Sequence, residues 1–412
     1  MNVVANPRNS TQIRSSNIRA LLNAIKENMP ISKRDLQKIT GLSWGAVSTL
    51  TGLLYDHKYV VSAGKQTTNV GRRPSELAIN SDDHFIVGID LHISGLCGVV
   101  TDMKGRIVKE WVRLFAHEDY TCIMETLFSL LDDILLNTFH DKHILGIGLA
   151  VQGIVDVENG VSISLPQAAN WHTVPLKEIL EERYGCLTMI MHDPQCIMFA
   201  EKAFGESFLN IAQNAVMLRL DDGIGISLLI NGKMHMGSNG RAGEIGHIPV
   251  EKDGPVCTCG NKGCLEEFAS GRGLVHRFVE RVNQGEETDA DINSIHKEGY
   301  KELAIAAQRG DTLCSDLFEQ MGCYLGIALS SVVNILRPEL VVLYGELTQY
   351  RSLFFDQVEQ HLQAHLYADT QVKLLFSSLG RNAAAQGAAL MVSDYTIETL
   401  DLPVDAEEPD AE

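Results

Sequence analysis

Between Glu244 and Glu266 the chain reads E-I-G-H-I-P-V-E-K-D-G-P-V-C-T-C-G-N-K-G-C-L-E. No other stretch constrains the fold as much, because it places His247, Cys257, Cys259 and Cys264 within eighteen residues. A tetrahedral zinc site needs four nitrogen or sulfur ligands that can converge. Cys257 and Cys259 bracket a single residue, which puts two thiolates on one turn. Gly260 and Gly263 allow the chain reversal that brings Cys264 back to them. The gap from His247 is long enough to close a loop around an ion. Three of the nine cysteines fall within eight positions, which separates this cluster from a scatter of unrelated reduced thiols. All four ligand positions are protein groups, so no place is left for a reactive water. The predicted ion is therefore a structural zinc.

The charge is unevenly spread. Net charge is -19 over 412 residues, which taken whole speaks against nucleic acid as a partner. Residues 1–80, however, hold eleven Lys and Arg against four Asp and Glu, while the remainder holds 23 against 49. A basic head on an acidic body is the footprint of a DNA-binding module fused to something else. No apolar run approaches the length of a membrane span, and the N-terminus lacks the basic-then-apolar layout of a signal peptide. Scattered cysteines outside the cluster suit reduced thiols, hence a cytoplasmic protein.

In the head, residues 1–15 read as a polar arm. Ile18, Leu21, Leu22 and Ile25 recur at helical spacing and predict a first helix from about Ser16 to Asn28. Ser32, with Asp35 three residues on, caps a second helix running to Thr40, and Gly41 makes the turn. Ser43 caps a third helix through about Asp56. Two short helices, a glycine turn and a third helix form a helix-turn-helix. The outward face of the third helix is expected to offer Ser43, Trp44, Ser48, Thr49 and Thr51 to a major groove. A hairpin from Val60 to Ile79 reads as a wing, with Arg72 and Arg73 at its rim suited to a narrow minor groove. The competing interpretation of the same residues is a small helical protein-interaction module with a solvated basic face.

From Phe85 the pattern changes. Phe85–Asp90, Leu96–Thr101 and a segment from Gly105 read as strands, followed by a helix from about Thr121 to Leu136 and a strand from Ile144 to Ala150. Val216–Leu220, Ile224–Ile230 and Leu340–Tyr344 read as strands of a second lobe. The tail 401–412 carries six acids and two prolines, a composition expected to remain disordered.

The pattern G-E-I-G-H, followed by C-x-C-G-x-x-G-C-L-E, resembles the signature of the ROK family, which joins sugar kinases and sugar-responsive repressors. The resemblance extends over nearly the whole chain. It implies an α/β fold in which an N-terminal winged helix-turn-helix is followed by a two-lobed, actin-like ATPase domain. The expected boundaries are 1–80 for the head, 81–400 for the ROK domain and 401–412 for the tail. The lobes would be about 81–195, with the C-terminal helix, and about 196–385. In the family a sugar sits between the lobes. Carried over residue by residue, its ligands would be Gln167, Asp193, Glu244, His247 and Glu266, with Asp193 at the position of a kinase's catalytic base. Gln152 replaces a family proline, Gln167 a family asparagine, and His192 the asparagine before the base. Carboxylates and an imidazole suit adjacent hydroxyls, since a buried polar site discriminates against ligands that leave it unpaired. His247 would hold zinc with one ring nitrogen and offer the other to the sugar.

The kinase loops of the family depart from pattern here. D-x-G-G-T becomes Asp90-Leu91-His92-Ile93-Ser94, G-T-G-I-G becomes Asp221-Asp222-Gly223-Ile224-Gly225, and the adenosine-side glycine pair becomes Tyr344-Gly345-Glu346. Phosphate loops need small uncharged residues whose N–H groups face the anion. A carboxylate about 4 Å from a phosphate costs roughly 1–4 kcal/mol. These departures predict a non-enzymatic regulator of the NagC/Mlc type: a DNA-binding repressor of carbohydrate uptake or catabolism genes, working as a homodimer or homotetramer on a two-fold operator. Its effector would be a sugar or sugar phosphate. The alternatives are an active sugar kinase with an appended head, and a repressor whose signal is a sugar-transport protein.

Overall fold

A computed structural model of the chain describes residues 10–65, 75–92, 95–166, 168–207 and 209–402. It divides into two compact units. The first comprises residues 1–151, 164–190 and 385–412, and the second comprises residues 152–163 and 191–384.

The head belongs to the first unit. Helix α1 (Ser10–Asn28) is followed by β1 (Ile31–Ser32), α2 (Lys33–Thr40), α3 (Trp44–Asp56), β2 (Val60–Lys65) and β3 (Ser75–Ile79). The local signals act as expected. The Ser32 hydroxyl accepts from the Asp35 N–H and donates to its carboxylate, a side-chain N-cap at the start of α2. Gly41 ends that helix at φ 70°, a left-handed conformation that favours glycine. Ser43 accepts from the Ala46 N–H to start α3. The three strands pair in the order β1-β3-β2, so the wing is a true antiparallel sheet packed on the helices. Helix α1 begins six residues before the predicted Ser16, so Ser10–Ser15, read as part of an arm, are helical instead.

Next come β4 (His84–His92), β5 (Gly95–Asp102), β6 (Ile107–Leu114), α4 (Tyr120–Asp132) and β7 (His143–Val151). After the small hairpin β8 (Ile154–Asp156) and β9 (Val161–Ser164) follow α5 (Leu176–Tyr184) and β10 (Thr188–His192). The sheet order is β10-β7-β4-β5-β6, with β4 antiparallel to β5 and parallel to β7.

The second unit contains α6 (Asp193–Phe204), β11 (Ala215–Leu220), β12 (Ile224–Ile230), β13 (Lys233–Met234), α7 (Leu265–Ala269) and α8 (Gly271–Asn283). It continues with α9 (Ile292–Glu298), α10 (Tyr300–Gln308), α11 (Thr312–Leu336), β14 (Leu340–Tyr344), α12 (Phe355–His365) and β15 (Lys373–Phe376). Its sheet order is β13-β12-β11-β14-β15, with β11 antiparallel to β12 and parallel to β14. This unit starts at Met191 rather than near 196, and it includes residues 152–163 as well.

The last helix, α13 (Ala383–Thr399), returns to the first unit and lies directly on its sheet. The approach is so close that a Cβ at Gly88 would stand 2.0 Å from the Ala385 carbonyl oxygen, and one at Gly148 would stand 2.2 Å from that of Ala388. Helix α13 also completes the head. Ile18, Leu22, Leu36, Leu54 and Ile79 share one apolar core with Ile86, Met103, Val392 and Ile397. Lys26 pairs with Asp394 at 2.6 Å, Arg19 Nε donates to the Leu400 carbonyl at 3.1 Å, and the Ser15 hydroxyl donates to Asp401 at 2.6 Å. The boundary read near residue 80 thus marks a change of sheet and not a break in the core. Asp401 and Leu402, assigned to a disordered tail from sequence, are ordered here, and the remainder of that tail lies outside the described residues.

Candidate functional site

The residues predicted to ligate a metal lie on a knuckle in the second unit. A single helical turn, Ile245–His247, presents His247. The chain then doubles back through paired bridges, Pro249 with Cys264 and Val256 with Lys262. Gly263 makes this reversal possible. Its φ is 66°, and a Cβ there would fall 1.6 Å from the Glu251 carbonyl oxygen. The ligand atoms of His247, Cys257, Cys259 and Cys264 all lie within 4.8 Å of one another. His247 Nδ1 is 3.7 Å from Cys257 Sγ, and Cys259 Sγ is 3.6 Å from Cys264 Sγ. A tetrahedral zinc with bonds of about 2.3 Å to sulfur and 2.0 Å to nitrogen has edges of roughly 3.5–3.8 Å. The cluster therefore fits such an ion. Burial, reinforced by Cys259 and Cys257, pushes the Cys264 thiol up to about 12, and burial raises Cys257 as well. Buried thiols of this kind give up their protons to a metal rather than to water.

The carboxylates predicted to meet a sugar divide into paired and exposed. Asp193 opens α6 and is 3% exposed. One oxygen accepts from Arg219 Nη1, and the other lies 3.2 Å from His192 Nε2. Glu266, on α7, is paired with Arg272. Glu244 is exposed at the start of the knuckle, and His247 turns Nδ1 to the thiols. Glu266 Oε2 and Gln152 Nε2 converge on Gly223, where a Cβ would stand 3.8 and 3.7 Å from them. Gln167 lies outside the described residues, as do Ile93 and Ser94 of the first loop.

The Asp221–Gly223 turn differs from expectation. Asp221 was expected to face a bound polyanion. Its carboxylate instead turns inward, accepting from Arg219 Nε at 2.9 Å and from the Glu346 N–H at 2.5 Å. Burial pushes this carboxyl above its ordinary range, with the Arg219 guanidinium opposing the rise. Glu346 pairs in turn with Lys301 at 2.6 Å. Asp222 remains exposed. Arg219 is the residue that sequence reasoning missed, although an arginine inside the apolar run Val216-Met217-Leu218-Arg219-Leu220 is a visible anomaly: a charge in a central strand demands a buried partner.

On the head, α3 carries Ser43, Trp44 and Thr49 exposed, with Ser48 half-buried. Thr51 is a correction. It is 1% exposed, and its hydroxyl donates to the Val47 carbonyl at 2.6 Å, so it belongs to the inner face. Tyr55, 54% exposed, joins the outer face, and its position eleven residues after Trp44 was the overlooked signal. Arg72 and Arg73 lie outside the described residues.

Three comparisons bear on this arrangement. A family model described as the ROK family matches residues 86–395. The xylose repressor of Bacillus subtilis is 27% identical over 393 residues, which cover 95% of this chain and 98% of that one. The NagC transcriptional dual regulator of Escherichia coli K12 is 26% identical, over 92% of this chain and 93% of its own. Among solved structures, a ROK family transcriptional regulator described as a homolog of the E. coli MLC protein superposes with a TM-score of 0.80 at 24% identity, covering 94% of this chain and 98% of that one.

Proposed function

The chain belongs to the ROK family, and on that footing we propose that it is a sugar-responsive, DNA-binding transcriptional repressor. One observation carries this function: the match to a sugar-named repressor spans 95% of the chain, including a winged helix-turn-helix ahead of the family-matched residues. Operator contacts are assigned to Ser43, Trp44, Ser48, Thr49 and, at the wing, Arg72 and Arg73. One head covers a half-site, so a two-fold operator bound by a homodimer or homotetramer is expected.

The effector is a sugar or sugar phosphate whose hydroxyls pair with Asp193, Glu244, His247 and Glu266, together with Gln167. Zinc on His247, Cys257, Cys259 and Cys264 supplies a rigid tetrahedral tie. With Nδ1 committed to the thiol cluster, Nε2 of His247 is the nitrogen left for the sugar. Arg219 on Asp193 and the Asp221–Glu346 contact favour a protein that does not transfer phosphate. Sugar-dependent ADP release at an ordinary enzymatic rate, about one per second or more, is the result that would restore the kinase.

A sugar shifts operator affinity only by its unequal affinity for the two states of the protein. A hundredfold loss corresponds to about 2.7 kcal/mol of coupling. The test is operator binding titrated with D-xylose, N-acetylglucosamine and its 6-phosphate, for the wild type and Glu244→Ala. The wild type is expected to release DNA, while Glu244→Ala stays bound. Equal responses remove the sugar from the mechanism and leave a transport protein as the signal. Loss of residues 1–80 is expected to abolish operator binding.

A further inference from the structure

Arg219 is held between two carboxylates, Asp193 buried and Asp221 partly buried. Nη1 donates to Asp193, where the effector is placed, and Nε donates to Asp221 at 2.9 Å. The other oxygen of Asp221 accepts from the Glu346 N–H at 2.5 Å. The turn at Gly345 is built for this contact. Its φ is 121°, and a Cβ there would stand 2.2 Å from the Leu220 carbonyl oxygen and 2.8 Å from Asp221 Oδ1. Behind it the Asp221 carbonyl accepts from the Gly271 N–H at 2.8 Å, at the start of α8. A single guanidinium thus spans Asp193 and the joined turns 221–223 and 345–346. A planar fork with donors on separate edges can make both bonds at once, whereas an ammonium makes them as a point charge. Buried ion triads add little net stability, so their retention is best attested as a device for specifying one arrangement.

We propose that Arg219 is a positioning residue: it orients the Asp193 carboxylate toward the effector's hydroxyls and, through Asp221, holds the two turns together. The first half rests on the sugar assignment above; the second does not. An effector hydroxyl that draws on Asp193 pulls on the same guanidinium, so occupancy is felt at Glu346.

The experiment uses the full chain with its metal in place, as wild type, Arg219→Lys, Arg219→Met and Asp221→Ala, with metal content and circular dichroism as controls of folding. Amide exchange is followed at Glu346, and binding of D-xylose, N-acetylglucosamine and N-acetylglucosamine 6-phosphate is measured by calorimetry. Both Arg219 variants are expected to exchange the Glu346 amide at least tenfold faster and to weaken at least tenfold any probe that the wild type binds. Arg219→Lys, which keeps the charge, serves where Arg219→Met fails to fold. Asp221→Ala separates the two roles: exchange rises by the same order, while sugar affinity stays within about threefold. Wild-type exchange and affinity in Arg219→Lys overturn the proposal. If the wild type binds none of the three sugars, the sugar assignment fails, and the exchange result alone upholds or overturns the hold on the turns.

Discussion

The two sheets share a strand order and differ in what secures them. In each, an antiparallel meander of three strands is followed by a strand that pairs parallel with the meander's first. The first unit adds an apolar helix, packed so closely that Gly88 and Gly148 admit no side chain, and carries the head on the same core. The second adds thiols, a metal-shaped knuckle and the triad Asp193, Arg219 and Asp221. Both frames are held by apolar packing, and the second adds charge and coordination to it. Apolar packing suits a rigid seat for a DNA-reading helix. Ligand chemistry needs polar groups, and these persist in an interior only when paired.

The sharpest way to break this contrast is to remove the coordination. Stripping the ion with a chelator, or Cys264→Ala, is expected to take zinc from one per chain to none and to cost more than about 4 kcal/mol, the class of loss that accompanies a missing metal. Metal analysis and thermal unfolding check it; retained thermal stability without metal removes the structural role. The matching change in the first unit is Gly148→Ala. Its methyl group has no room against the Ala388 carbonyl, so a loss of about 1–3 kcal/mol is expected, together with weaker operator binding, because α13 also seats the head. Denaturant unfolding and a DNA titration measure the two effects. Lys26→Ala removes the Lys26–Asp394 pair, which is only partly shielded, and should cost about 0.5–1 kcal/mol without touching metal content.

A pH scan sharpens the comparison further. His84 Nε2 donates to the His57 carbonyl, at the C-cap of α3, at 3.2 Å, and its Nδ1 lies 2.9 Å from that of His143. Burial holds the His84 imidazole below its ordinary value. The unfolded chain then binds more protons than the folded one as pH drops below about 6.5, so the neutral ring's stability is present above that pH and lost beneath it. His84→Gln should flatten this acid slope of Tm; an unchanged slope assigns it to other groups.

Some of this was legible from residues alone. The His/Cys cluster was, because four such residues and two glycines at fixed spacing leave few foldings. The helix-turn-helix was, because Ser32, Gly41 and Ser43 each carry a local mechanism. Ile86, Met103 and Val392 were readable as buried but not as partners of Ile18 and Leu22, since periodicity says that a side chain is inward and not what it meets. Thr51 was placed outward by residue type, whereas its hydroxyl satisfies itself on the preceding helical turn. Asp221 was read as a charge facing outward because its partner, Arg219, had been overlooked.

Helix α13 also sets an order of manufacture. The seat of the DNA-reading head needs residues 385–402, which are translated after the entire second unit. At about 5–20 residues per second, roughly 12–50 s pass between emergence of the strand ending at Val151 and emergence of that helix. Throughout that interval Ile86 and Met103 lack the Val392 and Ile397 side chains that share their core. A chain interrupted before residue 385 therefore carries the whole helix-turn-helix and lacks the helix that shares its core.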